Sequence, residues 1–121
     1  MDINEIKQHV CEFIDQNTSN LSDLSFQIWS NPETAFEEFK SHNLLTDFLQ
    51  NHGFEVCKAT PLTTSFIASS SCKEGKVVVG ICCEYDALPV IGHACGHNLI
   101  AESSVGAALG NYIENNVNNE C

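Results

Sequence analysis

The sequence predicts a mixed α/β layer in the order helix, helix, strand, strand, strand, helix. Apolar residues recur at three- and four-residue steps up to Gly53, β-forming runs follow, and helical spacing returns after a histidine-rich stretch near residue 95. The run 77–83 has no polar side chain, the pattern of a strand buried on both faces and therefore covered by helices. Three strands in this order leave at least one sheet edge that nothing in the sequence covers, so the expected sheet is incomplete.

Ile3, Ile6, Val10, Phe13 and Ile14, then Leu21, Leu24 and Ile28, describe a long amphipathic helix over most of residues 3–29. Thr18-Ser19-Asn20 interrupts the stripe, yet Leu21 resumes it at helical spacing, so one helix and two both satisfy the pattern. Asn31-Pro32 ends it, because the residue before a proline is pushed out of the helical region. Thr34 and Glu37 have the spacing of a capping box, and Phe39, Leu44, Leu45, Phe48 and Leu49 carry a second helix to a stop at Gly53.

Residues 54–57 alternate and residues 64–68 are rich in β-formers; a polar turn at 69–75 then leads into the apolar run. Leu99, Ile100, Ala107, Ala108, Leu109, Tyr112 and Ile113 describe a third helix, begun by Asn98. Gly106 and Gly110, one turn apart, suit close approach to the sheet. Residues 114–121 have no apolar face and are expected to fray, leaving residues 1–113 as one domain segment. His9, His42 and His52 lie among solvated residues without a ligand partner at metal spacing, and read as surface histidines.

Composition narrows the classes of function. A net charge of -11, from 16 acidic against 5 basic residues, repels phosphate backbones and anionic membrane surfaces alike, so no nucleic acid and no membrane is expected as a partner. The 43% hydrophobic content supports a core. The start of the chain lacks the basic and apolar regions of a signal peptide, and no apolar run approaches the roughly 18 residues of a membrane span. The expectation is a cytoplasmic protein. Seven cysteines, an odd number without a secretory signal, read as reduced thiols, with Cys82 and Cys83 packing in the strand.

The chemistry concentrates between residues 84 and 97. His93, Cys95 and His97 occupy alternate positions, which in an extended segment puts all three side chains on one side. Gly92 and Gly96 permit the turns that would fold such a segment around a small target. Glu84 and Asp86 repeat the two-residue spacing at the end of the apolar run, the usual place for a site in an α/β sheet. Thiol and imidazole are good zinc ligands. Two other readings fit the same residues: loop histidines capping backbone groups beside an ordinary buried thiol, and a nucleophilic Cys95 with a histidine base.

The segments from Ile28 to Glu38, Leu45-Thr46-Asp47-Phe48-Leu49, Cys83-Glu84-Tyr85-Asp86-Ala87-Leu88-Pro89 and, most closely, Gly92 to Glu102 resemble the amidohydrolase branch of the two-metal family that contains aminoacylases, carboxypeptidases and dipeptidases, peptidase family M twenty. The resemblance runs over residues 21–112. It implies the N-terminal part of a two-metal hydrolase catalytic domain, with Cys95 and His97 as metal ligands and Asp86 as the catalytic-site acid that orients a metal-binding histidine. Cys95 stands where relatives outside the branch use a metal-bridging aspartate, and Glu84 where they carry a histidine. His93 matches the motif without being a ligand, and Asn98 replaces an aspartate found in many relatives.

The implied chemistry is hydrolysis of the amide bond of dipeptides with basic carboxyl-terminal residues, or of N-acyl amino acids, by zinc or manganese and a glutamate base. The resemblance places that glutamate and the remaining ligands beyond this helix. The chain is accordingly expected to be an N-terminal segment that is inactive alone, with homodimers only in a full-length form. A short non-catalytic protein binding metal or a partner is the alternative.

Overall fold

Helix α1 (Ile3–Gln16) opens with Glu5 reaching back to accept the Asp2 N–H at 2.8 Å, which satisfies one of the donors a helix start leaves free. The computed structural model describes residues 2–70 and 78–117, with side chains as far as Tyr112 in the last helix. The long first helix is two. Asn17 breaks it: its backbone leaves helical geometry at φ -98, ψ 4, and its side-chain amide donates to the Phe13 carbonyl at 2.9 Å, competing with the ladder. Helix α2 (Thr18–Ser30) then resumes the stripe and ends before Asn31-Pro32 as expected.

Helix α3 (Phe39–Asn51) starts later than a cap at Thr34 would place it. Glu33 takes over that task from a distance. Its carboxylate accepts the N–H groups of Lys40 and Ser41, both at 2.8 Å, and the Ser41 hydroxyl at 2.9 Å. An anion at this end of a helix meets both unpaired donors and the positive end of the dipole. Strands β1 (Glu55–Lys58) and β2 (Phe66–Ser69) form an antiparallel pair, with Val56 opposite Ala68 and Cys57 opposite Ile67. Helix α4 (His97–Val117) completes the chain; it begins one residue before Asn98 and carries residues 114–117, while 118–121 lie outside the described residues.

The core lies between helices. Leu21, Leu24 and Ile28 of α2 meet Leu45 and Leu49 of α3 and Ala101, Val105 and Leu109 of α4, with Phe54 closing the end. Helix α4 packs against α1 and α2, and α3 covers the strand pair. Gly106 and Gly110 therefore serve helix contacts and not the expected contact with the sheet. A Cβ at Gly110 would come within 2.8 Å of Val10 on α1, and one at Gly106 within 3.6 Å of Leu21 on α2. No helix among the described residues is long and apolar enough to cross a membrane.

The expected third strand is not formed in the part of 77–83 that is described; Val77 lies outside it. Residues 78–83 pair with no strand, and Val78 and Val79 are 81% and 71% exposed. Only one face has found a neighbour: the Ser104 hydroxyl of α4 donates to the Cys82 carbonyl at 2.7 Å, and Val105 and Ala108 of α4 line a groove with Ile81 and Cys83. A doubly buried strand needs a hydrogen-bonded neighbour and a second covered face, and the described residues supply neither. The groove, about 560 Å³, separates this run from the outer edge of β2. The architecture is mixed α/β with four α-helices and a two-stranded sheet among the described residues.

Burial ranks the cost of substitutions. Leu45 is fully buried, so Leu45→Ala should destabilise the chain by about 2–5 kcal/mol through lost transfer energy and a residual cavity. Phe26, 60% exposed on the outer side of α2, should change stability by about 0.5 kcal/mol or less on replacement by alanine. Urea unfolding of both variants checks the contrast; equal losses would contradict this core.

Candidate functional site

Two loops meet to build the site. The Ala87 N–H donates to the Glu33 carbonyl at 2.7 Å, and Thr34 bridges Ala87 in parallel fashion, so the end of the 78–86 run is tied to the connection between α2 and α3. Beyond it, Leu88 and Gly92 exchange both backbone hydrogen bonds, at 2.9 and 3.1 Å. Inside this loop Ile91 N–H bonds to the Pro89 carbonyl at 2.9 Å around Val90, whose φ is 72. That is the rarer, strained kind of γ-turn, and for a β-branched residue the left-handed region is costly. Val90 is fully exposed. Phe36 holds the same φ of 72 in the facing loop, bracketed by the Glu37 to Thr34 hydrogen bond at 3.0 Å.

The histidine cluster does not form an extended segment. His93–Cys95 is one turn of 3-10 helix between Gly92 at φ 62 and Gly96 at φ 80, so alternate side chains diverge instead of sharing a side. His93 turns inward and is buried, with neither ring nitrogen in a hydrogen bond among the described residues. Burial lowers its basicity and the nearby His97 lowers it further; the Ile28 carbonyl and Asp86 act the other way, although neither meets the ring in hydrogen-bond geometry. Cys95 is exposed, and His97 opens α4.

Cys95 and His97 converge on one residue, Asp86. The Nδ1 of His97 lies 2.9 Å from both the Asp86 carboxylate and the Asp86 carbonyl, and the Cys95 thiol donates to that same carbonyl at 3.8 Å. The Nε2 of His97 faces the Glu84 carboxylate at 3.1 Å. With Nδ1–H given to Asp86, a neutral ring turns the lone pair of Nε2 toward Glu84, a position where a cation satisfies both groups. The structure thus brings together Glu84, Asp86, Cys95 and His97 and leaves His93 out. Among the described residues no three His, Cys, Asp or Glu side chains stand at distances that complete a metal sphere.

Asn98 is not a cap. It lies in the first turn of α4, buried, and its amide donates to the Ser25 hydroxyl of α2 at 3.1 Å while that hydroxyl reaches the Asn98 carbonyl at 3.4 Å. This pair holds the start of α4, and with it His97, against α2.

Behind the acids lies a buried polar knot that sequence patterning did not reveal. The Tyr85 hydroxyl donates to the Thr64 carbonyl, which His42 Nδ1 also meets at 3.1 Å; the Thr64 hydroxyl donates to Glu38, whose other oxygen accepts the Phe36 N–H at 2.9 Å. His42, read from sequence as a surface residue, is 6% exposed. Its neighbours in sequence are polar, and only the fold places it under the 59–65 turn. Burial pushes the Tyr85 phenol well above its ordinary range, with Cys83 and Glu38 adding to the effect. Cys83 is likewise pushed up to about 12, by burial first and then by the Glu84 charge.

Similarity to known proteins agrees with this layout. The chain is 43% identical to the Xaa-Arg dipeptidase of Mus musculus over 114 residues, covering 87% of the chain and 26% of that relative. It is 42% identical to the Xaa-Arg dipeptidase of Homo sapiens, covering 87% of the chain and 27% of the relative. It is 33% identical to a p-aminobenzoyl-glutamate hydrolase polypeptide of Escherichia coli (strain K12), covering 87% of the chain and 25% of the relative. No protein-family model matches the chain. The chain belongs to the amidohydrolase and dipeptidase family, peptidase family M twenty. It spans about a quarter of the length of the curated relatives it matches.

The thiols test this environment. Between its ordinary 9.0 and about 12, folded Cys83 keeps a proton that the unfolded chain loses, so its contribution to stability falls as pH rises above about 9. At mildly alkaline pH, iodoacetamide should modify the exposed Cys11, Cys57, Cys82 and Cys95 while sparing Cys83 until the chain unfolds. Peptide mass mapping reads this directly; equal labelling of Cys82 and Cys83 would contradict the buried placement of Cys83.

Proposed function

We propose that this chain is the N-terminal segment of the catalytic domain of a metal-dependent amidohydrolase that cleaves dipeptides, with residues 1–113 forming that segment. The observation that carries the reading is the convergence of the Cys95 thiol and the His97 imidazole on Asp86, at 3.8 and 2.9 Å. In this reading Cys95 and His97 hold a divalent metal, zinc or manganese, within a two-metal site. Asp86 accepts the Nδ1 proton and so presents Nε2 as the donor lone pair, the task of a carboxylate behind a ligating histidine. When bound, such a metal polarises an amide carbonyl and lowers the pKa of a water.

The donor chemistry fits in part. Thiolate and imidazole are two ligands, whereas a catalytic zinc takes about three from protein, and Glu84 at 3.1 Å from Nε2 is the nearest further acid. The reading takes the rest of the sphere and the glutamate base from the additional length that relatives have, and makes the chain inactive alone. The name shared by two relatives, Xaa-Arg dipeptidase, supports a basic residue at the carboxyl end of the substrate. The same reading puts the protein in the cytoplasm, with dimerisation confined to a full-length form.

Two measurements test it. The purified, untagged chain should hold zinc or manganese weakly and below one equivalent, and Cys95→Ala should remove what is held. A tightly held equivalent surviving dialysis would favour a short metal-binding protein instead. Residues 1–111 joined to the remainder of the mouse relative should hydrolyse dipeptides ending in lysine or arginine in a metal-dependent way. In that chimera Cys95→Ala and His97→Ala should lower metal content and turnover together, whereas Asp86→Asn should keep more metal and lose about 10 to 100-fold in rate. A partly active Cys95→Asp would support the ligand role, since a carboxylate binds metal but does not replace a thiol nucleophile. A chimera that folds and binds metal yet hydrolyses neither dipeptides nor N-acyl amino acids would sink the assignment.

A further inference from the structure

We infer that Tyr85, anchored through Thr64 and Glu38, is a positioning residue that sets which nitrogen of His97 carries the proton. Residues 84–86 are extended, so Glu84 and Asp86 point one way and Tyr85 the other. The two acids hold His97 between them, Glu84 at Nε2 and Asp86 at Nδ1. Tyr85 points into the knot, where its ring stacks on Phe66 at 5.9 Å and its hydroxyl bonds to the Thr64 carbonyl.

The two ends of this arrangement differ in freedom. Glu84 and Asp86 have side chains 54% and 36% exposed, which by themselves are free to swing. Thr64 and Glu38 are 5% and 8% exposed and bonded to each other. What fixes the acids is therefore the backbone between them. Asp86 makes that dependence direct, because its main-chain carbonyl as well as its carboxylate meets Nδ1 at 2.9 Å. A carbonyl displaced by about 1 Å no longer makes a hydrogen bond at that distance. Without the Tyr85 hydroxyl the stretch 84–86 loses its inward anchor, and Glu84 competes with Asp86 for the ring proton.

The inference rests on the proposed ligand role of His97 only for its purpose, since the hydrogen bonds concerned exist in the metal-free chain. The test is a long-range proton–nitrogen spectrum of the histidine rings in the nitrogen-15-labelled 121-residue chain with chelator present, His97 being assigned through His97→Gln. The neutral wild-type ring should be the Nδ1–H tautomer. Tyr85→Phe, which keeps the ring stack, should shift more than half of that population to Nε2–H, with His42 unchanged because it retains the Thr64 carbonyl. Incorporating 3-fluorotyrosine, which keeps a hydroxyl, should retain the wild-type pattern. An Nε2–H ring in the wild type, or an unchanged His97 in a folded Tyr85→Phe chain, overturns the proposal. If Tyr85→Phe does not fold, Glu38→Gln replaces it with the same expectation; if neither folds, the knot is a folding element only and the proposal fails. None of these readouts depends on hydrolysis, so the assignment of the reaction stands or falls separately.

Discussion

Glu33 joins the pieces of chain from which the site is made. Its carbonyl accepts the Ala87 N–H, and its carboxylate accepts two N–H groups and a hydroxyl at the start of α3. The stretch 31–38 has no regular structure of its own, so its polar groups and those it faces must be satisfied by specific partners. A carboxylate meets several such donors at once, and charge-assisted bonds are about twice as strong as neutral ones. Remove that side chain and α3 loses its cap while the 86–92 loop keeps only a backbone tether. Position and chemistry at the site thus descend from one residue outside it.

The loops that Glu33 secures hold their shape against local preference. Val90 and Phe36 occupy left-handed backbone that favours glycine, and both are exposed, so neither is held by burial of its own side chain. The tie between Ala87 and Glu33 and the paired bonds between Leu88 and Gly92 over-determine them. Such strain persists where surrounding contacts demand it, and it recurs around functional sites. Here it brackets the turn that delivers Cys95 and His97 to Asp86. The groove beside β2 lies apart from this chemistry, its walls including Tyr85 but not Asp86, Cys95 or His97.

Much of the site was legible because its residues lie close in sequence. The acids at 84 and 86 and the cluster at 93–97 are separated by one short loop, so almost any compact path brings them together. Their orientation was not legible. Spacing of two suggested a shared side only for an extended segment, and the positive φ at Gly92 and Gly96 replaced it with a 3-10 turn that buries His93. The knot of Glu38, Thr64, Tyr85 and His42 joins residues up to 26 positions apart, for which local patterning carries no signal.

By itself the sequence determined the periodic elements: the stripes that became α2, α3 and α4, the alternation that became β1 and β2, the stop at Asn31-Pro32, and the motifs that mark the family. These depend on interactions within one or two turns, which residue order encodes directly. Tertiary structure decided what depends on partners far along the chain. Asn17 could equally have continued a helix, Gly110 could have faced a sheet, and His42 could have faced water; packing of α4 on α1 and of the 59–65 turn on α3 settled them. The apolar run at 78–83 shows the limit most clearly. Its composition encodes a need for two covered faces and paired edges, but a strand forms only where another strand lies within hydrogen-bonding distance, and among the described residues none does.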